Sequence, residues 1–535
     1  MHRLRRQAGE LTPDQLQQAV ASRVRIDTRS LAVIRIIAGI LIIGDVLSRS
    51  RHAVVMYTDE AFLPRSLARE FAPEGAISIF WLTGDPWAVA VLFILHALVG
   101  LALLLGYHTR LMTVLAFIFV VSLDMRNILV LSHADLLFRL LLLWAIFLPL
   151  GERWSIDAVH RERSPRESVA GLASALFLGQ MVLMYTMNAI WKLHGDAWIS
   201  GETPMLVFGL DDITFLLGDH LRAVPDLLAI GGIIWFGLML ASPLLLVVRG
   251  RNRALLASLF VMGHLAFAIS VRIGAFPFAA MMGLIGFLQP SAWRAIATVA
   301  DRLGAMDHYE RLRAYLAEEG ETIPRPTVQS PTIARAIALA YGIALLAVVA
   351  SFFILGGALA PHAGDLVEPG IDHEAAFEEV LADAPVAEMV YAGQEAIGIN
   401  QPDWKIFAPH GRTVDRYHVF PAMTVTGDWI DIYNDRPLSF ERPYDELQRQ
   451  YDTYRERFFM NSVARGNEPG LQASLAAYLC AEHDEELVSI SFVRVHEEVT
   501  RETLDEPGER ERGARLIYTH GCGDHAPIEP DIPDL

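Results

Sequence analysis

Long apolar windows recur through the first two thirds of this 535-residue chain, and no other feature narrows its fold as much. A bilayer crossing needs roughly 20 residues of low charge. Nine windows come close: residues 30–48, 86–106, 111–125, 133–150, 169–191, 225–248, 254–271, 274–290 and 332–357, the third and eighth being short. A re-entrant piece around Met205–Leu217 is a further option. In hydrocarbon every backbone polar group must be satisfied within the chain, so windows of this length read as helices. The expected fold is an all-α polytopic membrane bundle of about nine transmembrane helices, with a C-terminal extracytoplasmic α+β domain.

Three parts follow. Residues 1–29 read as a cytoplasmic arm in which TPDQLQQAVASRV (12–24) forms a short amphipathic helix. Residues 30–358 read as the membrane domain, including a cytoplasmic helix over 291–320 that lies along the membrane surface. PRPTVQSP (324–331) is a linker into the last window, and residues 360–535 form the external domain. The polar, arginine-rich start has no cleavage site after the first window, so that window is expected to stay as an anchor.

Orientation follows from arginine placement. The N-terminal arm, the loop with Arg153, Arg161, Arg163 and Arg166, the RGRNR loop (249–253) and the segment from Arg294 to Arg325 all fall on one side with nine spans. That side is the cytoplasm of a multi-pass cell-membrane protein. Arg49, Arg51, Arg65 and Arg69 in the first loop count against this orientation. The net charge is −18 and no basic stripe is present, which argues against nucleic acid as a partner.

In the external domain, RYHVFPAMTVTGDWIDIYN (416–434) reads as two strands around a TGD turn. Segments 444–463 and 471–483 read as helices, and LVSISFVRVHEEVT (487–500) alternates like a half-buried strand. QPDWKIFAPH (401–410) reads as a packed cap on the membrane domain. Both cysteines, Cys480 and Cys522, fall here; a disulfide is expected, with two free thiols as the alternative. They lack the spacing and partners of a zinc site, and no metal is predicted.

The chain has only two lysines, Lys192 and Lys405, among 44 Lys+Arg. Basic surface work goes to arginine, so a lysine ending the fifth window calls for a reason. Arginine keeps its proton, whereas lysine gives it up when water is excluded. Tyr185, Asn188 and Lys192 fall at i, i+3 and i+7, on one helix face. Such a polar stripe faces a bundle interior or cavity rather than lipid. The bland alternative is a lysine that snorkels to the interface. His133 is predicted at the same membrane level. His264 lies deep in the seventh window, either as a packing residue or as a functional one. Asp135 and Arg139 are spaced as an i, i+4 pair, and Asp124 could pair with Arg126, Arg139 or Lys192.

GQMVLMYTMNAIWKL (179–193), followed by Asp196 and Trp198, resembles the helix that carries the catalytic lysine in vitamin K-dependent γ-glutamyl carboxylases. LGYHTR (105–110), SLD (122–124), SHADLL (132–137), ERWSID (152–157) and His264 with IGAF (273–276) resemble that family in order and spacing. Within the superfamily the chain is most similar to the horizontally transferred transmembrane (HTTM) domain proteins, also through YTDEAFLP (57–64) and WKIFAP. The resemblance implies a reduced naphthoquinone of menaquinone or vitamin K type as cofactor, with O2 and CO2 as co-substrates. It implies Lys192 as the base, His133 and His264 as further functional residues, and Tyr185, Asn188, Trp191 and Trp198 around the cofactor. Implied partners are membrane lipid, quinone and an external protein or peptide substrate. Two departures stand out. The carboxylases have two adjacent lysines where this chain has Trp191 and Lys192, and their large lumenal region is not recognisable here. The competing expectation is a non-enzymatic quinone- or lipid-binding module that presents its external domain to a partner. A transporter ranks lower, for want of an inverted repeat.

Overall fold

The computed structural model describes residues 12–326, 330–368, 370–466 and 468–535. The first eleven residues of the predicted arm and residues 327–329 of the predicted linker lie outside the described residues. The chain opens with α1 (Pro13–Arg23), started by a Thr12–Gln15 capping box with Pro13 in the first turn. The apolar windows form α2 (Thr28–Ser50), α3 (Pro86–Leu105), α4 (Thr109–Arg126), α5 (His133–Ile146), α6 (Leu172–Lys192), α7 (Pro225–Leu240), α8 (Gly250–Ala268) and α9 (Phe276–Ile285). After them come α10 (Pro290–Arg302), α11 (Ala305–Thr322) and α12 (Pro331–Leu359). Four helices, α2, α3, α6 and α12, are long and apolar enough to cross a membrane. The others over the predicted windows are shorter or more charged. The predicted 291–320 helix is two helices, because Gly304 adopts φ 68° and breaks the run.

A buried arginine ties the first two long helices together. Arg35 projects from α2 and donates to the carbonyls of Leu103 (3.1 Å) and Leu104 (2.7 Å) at the end of α3, and to Trp154. No later residue of α3 reaches those carbonyls, and the Gly106 N–H takes only that of Leu103 (3.0 Å), so the guanidinium completes the helix end. The chain leaves α3 through Gly106 at φ 71°, where a side chain would collide with Arg35.

The C-terminal part contains α13 (His373–Ala382), α14 (Pro385–Ala396), α15 (Tyr454–Arg465) and α16 (Pro469–Glu482). Its strands are β1 (Val414–Val419), β2 (Pro421–Thr424), β3 (Trp429–Asp431), β4 (Arg436–Pro437), β5 (Leu487–Glu498) and β6 (Arg512–Gly521). β1 and β2 pair one after the other along one edge of β5, β3 and β4 continue outward from β2, β6 pairs with the other edge of β5, and the ladders are antiparallel. Segment 416–434 thus holds three strands rather than two, since the path is interrupted between Val419 and Pro421. The predicted 444–463 helix begins only at Tyr454; a 3-10 turn over Leu447–Gln450 precedes it.

One sheet face packs Phe420 and Phe492 against Phe459, Met460 and Val463 of α15, while Tyr417, Val419, Val493 and Val495 line the other. Cys480 and Cys522 form a disulfide that joins α16 to the residue after β6. The bond closes a loop across a sequence separation of 42 residues. Replacing both cysteines by alanine is expected to cost about 2–4 kcal/mol. Thermal unfolding of the paired variant in lipid nanodiscs, against the oxidised wild type, measures it.

The two parts are welded by buried ion pairs. Arg455 Nη2 of α15 reaches Asp135 Oδ1 (2.6 Å) and Asp45 Oδ1 (2.5 Å). Arg49 holds Asp45 (2.8 Å) and Asp124 (2.5 Å). Asp135 therefore does not pair with Arg139, as its spacing suggested. Its other oxygen accepts from Ser132 N (2.7 Å), capping α5, and Arg139 stands 3.6 Å from Asp124 instead. Of the expected partners of Asp124, Arg139 alone is within ion-pair reach, and Arg49 was not foreseen.

Candidate functional site

Lys192 is the last residue of α6, and its side chain is only 2% exposed. The 3.6-residue period carries Tyr185, Asn188 and Lys192 to one wall of a cavity of about 490 Å³ between α6, α7 and α8. That volume lies in the range of small-molecule sites. Trp198 and His264 line it too, and the remaining wall is almost wholly apolar, with Trp235, Phe267 and Phe276. Its outer rim includes Leu227, Ile234 and Met262, which are exposed on α7 and α8.

The polar wall is ordered by two sets of contacts. Tyr185 Oη and His264 Nε2 are hydrogen-bonded at 2.6 Å, and His264 Nδ1 is buried without a partner. Lys192 Nζ donates to Asn188 Oδ1 (2.8 Å) and to the carbonyls of Ile406 (2.5 Å) and Phe407 (3.5 Å). The ammonium also lies 4.0 Å from the Trp198 ring centroid. It forms no ion pair among the described residues.

The acceptors belong to the WKIFAP segment, which runs as a strap over the end of α6. Asn188 Nδ2 donates to Trp404 O (2.6 Å) and Ile406 O (3.0 Å), and Trp198 Nε1 donates to Phe407 O (2.7 Å). Trp404 and Phe407 adopt φ of 56° and 52°, a left-handed backbone that bulky residues rarely take, so the strap is held by its surroundings.

The other expected residues lie elsewhere. Trp191 does not line the cavity, because adjacent helical residues point in different directions. Its ring sits 4.2 Å from Lys405 Nζ and 4.9 Å from the His373 ring, so it grips the strap from behind. His133 is also outside the cavity lining; its ring centre is 6.3 Å from that of Trp404, on the strap's far side. Sequence reasoning missed the two strap carbonyls. The available signal was Lys405 itself, the only other lysine, which neighbours Ile406.

The structure thus defines a helical membrane protein with an apolar, side-opening cavity and a capped lysine at its wall. The chain belongs to the HTTM family: a family model described as the HTTM domain matches residues 24–293, half of the sequence. This membership is consistent with the vitamin K-dependent carboxylase-like superfamily. No curated protein and no solved structure matched the chain.

Proposed function

We propose that this chain is an integral membrane enzyme of vitamin K-dependent γ-carboxylase type. It would use a reduced naphthoquinone, O2 and CO2 to modify an external protein or peptide substrate. The observation that carries the reading is Lys192: one of two lysines, buried without an ion pair among the described residues, at the wall of a cavity whose rim carries the exposed apolar residues Leu227, Ile234 and Met262. In this reading nine helices span the membrane, with the N-terminus cytoplasmic and residues 360–535 outside.

A flat, apolar quinol fits such a chamber. Trp198, Trp235 and Phe267 offer ring faces, and Tyr185, Asn188 and Lys192 converge on one wall to orient polar oxygens. When bound, the quinol supplies, with dioxygen, the strong base that takes a proton from the substrate and ends as the quinone epoxide. Lys192 would remove the quinol's hydroxyl proton. The apolar wall keeps bulk water from quenching that base. The Tyr185–His264 pair fixes the opposite end of the polar wall, while His133 and Trp191 act through the strap. Three acceptors around one amine suit an ammonium. The strap carbonyls must therefore part from Nζ before the lysine can accept a proton.

That capped state also favours a second reading, a quinone- or lipid-binding module whose lysine serves only to hold the strap. Protein in nanodiscs, chemically reduced menaquinone and air distinguish the two. Menaquinone epoxide seen by mass spectrometry above a protein-free control is the expected result. Bound quinone without epoxide would leave the binding module.

A further inference from the structure

Two guanidinium groups inside the C-terminal part lack acceptors. Arg416 and His418 are alternate residues of β1 and so share one sheet face. Arg457 comes from the first turn of α15 and Tyr451 from just before that helix; the His418 and Tyr451 ring centres are 6.2 Å apart. Neither Arg416 nor Arg457 makes a side-chain hydrogen bond among the described residues.

Asp212 is the one carboxylate within ion-pair reach of either, and Arg412 already engages both its oxygens. Arg416 Nε and Arg457 Nη1 each stand 3.8 Å from Asp212 Oδ2, beyond hydrogen-bond length. Asp415 lies on the opposite face of β1, where it accepts from Arg510 (3.1 Å) and from the backbone N–H groups of Asp211 (2.6 Å) and Asp212 (3.1 Å). Three guanidinium groups thus surround one carboxylate. Arg494, opposite His418 in the ladder, adds a fourth cation that has no ion pair among the described residues.

Four buried polar atoms of this cluster have no partner: Arg416 Nε, Arg457 Nε, His418 Nε2 and Tyr451 Oη. His418 and Tyr451 are 2% exposed and Arg457 6%. Burial, then the charges of Arg416 and Arg494, push the His418 imidazole down to about 3, so it is neutral near pH 7 and can donate through Nε2. Burial, then the Asp212 charge, push the Tyr451 hydroxyl up, so it keeps its proton and can donate too.

Donors without acceptors and cations without counter-charges call for the same occupant, an anion. Water accepts few bonds and leaves the charge uncancelled. The side chains of Arg412 and Arg416 are 22% and 23% exposed, which leaves a way in from solvent. The deeper atoms are enclosed, so the anion must be compact. We propose that Arg416, Arg457, His418 and Tyr451 form an internal site for one chloride ion beside the Arg412–Asp212 pair. The ion would fasten the sheet and α15 to the segment that follows Phe208, a residue of the cavity wall. None of its four holders lines the Lys192 cavity, and the site does not depend on the chemistry proposed there.

Thermal unfolding of the full-length protein in nanodiscs, with gluconate exchanged for chloride at constant ionic strength, tests this. A saturable rise in melting temperature is expected, and bromide should reproduce it. Arg416→Gln should need about tenfold more chloride for the same rise. Arg416 has no side-chain hydrogen bond to lose, so that variant should fold. Tyr451→Phe removes a hydroxyl with no partner; in gluconate it should melt at or above the wild-type temperature, yet need severalfold more chloride. A melting temperature indifferent to chloride, or an undiminished response in both variants, overturns the site. Sulfate acting like chloride overturns the assignment to a compact monovalent ion. In a crystal soaked in bromide, an anomalous peak beside Tyr451 Oη is expected, and its absence overturns the placement.

Discussion

Lys192→Arg is expected to lower quinone-epoxide formation by about 10²–10⁴-fold while the chain folds and still binds quinone. The substitution keeps the positive charge and the hydrogen-bond donors that hold Ile406 O and Asn188 Oδ1. It removes the one thing a guanidinium cannot do, which is release its proton. Lys192→Met should lose turnover equally and also loosen the strap, since Ile406 O and Asn188 Oδ1 lose a donor. Quenching of Trp198 and Trp235 fluorescence by menaquinone, two residues at the cavity wall, reports binding independently of turnover. An arginine variant that works within threefold of wild type would remove Lys192 from the chemistry and favour the binding module.

Arg455→Met is expected to cost about 3–5 kcal/mol, because it takes the hydrogen-bonded cation from the buried Asp135 carboxylate, which then has only Arg49 at 3.7 Å, while Asp45 keeps its pair with Arg49. Arg455 also links α15 to the helical part by donating to Val130 O at 3.1 Å. The loss should appear as earlier thermal unfolding and as faster proteolytic release of the C-terminal part. Adding Asp135→Asn should restore part of it, since the buried charge left without its close cation is then gone. An unchanged melting temperature in Arg455→Met would mean that the apolar contacts of Phe459 and Met460 carry the joint alone.

Hydropathy located the longest helices well. Windows 86–106, 169–191 and 332–357 correspond to Pro86–Leu105, Leu172–Lys192 and Pro331–Leu359, because an uninterrupted apolar run leaves the backbone little alternative. Helix periodicity likewise placed Tyr185, Asn188 and Lys192 on one wall. It could not place Trp191, whose proximity in sequence to Lys192 hides a turn of about 100° around the helix axis. Asp135 shows the limit of spacing arguments. Arg139 was in reach, but Arg455 arrived from a distant helix and took the carboxylate. The Lys192 acceptors were harder still to foresee, because they are backbone carbonyls and any residue would have supplied them.

The strap gives biosynthesis a role in when the site becomes complete. α6 is made and inserted long before Trp404–Phe407 leave the ribosome, so the newly made bundle holds an uncapped amine beside an open chamber. Closure waits for the C-terminal part to fold and present two carbonyls in a left-handed backbone that free peptide avoids. Maturation of the lysine's environment is thereby tied to completion of the whole polypeptide, and a prematurely terminated chain would carry the cavity without its closure.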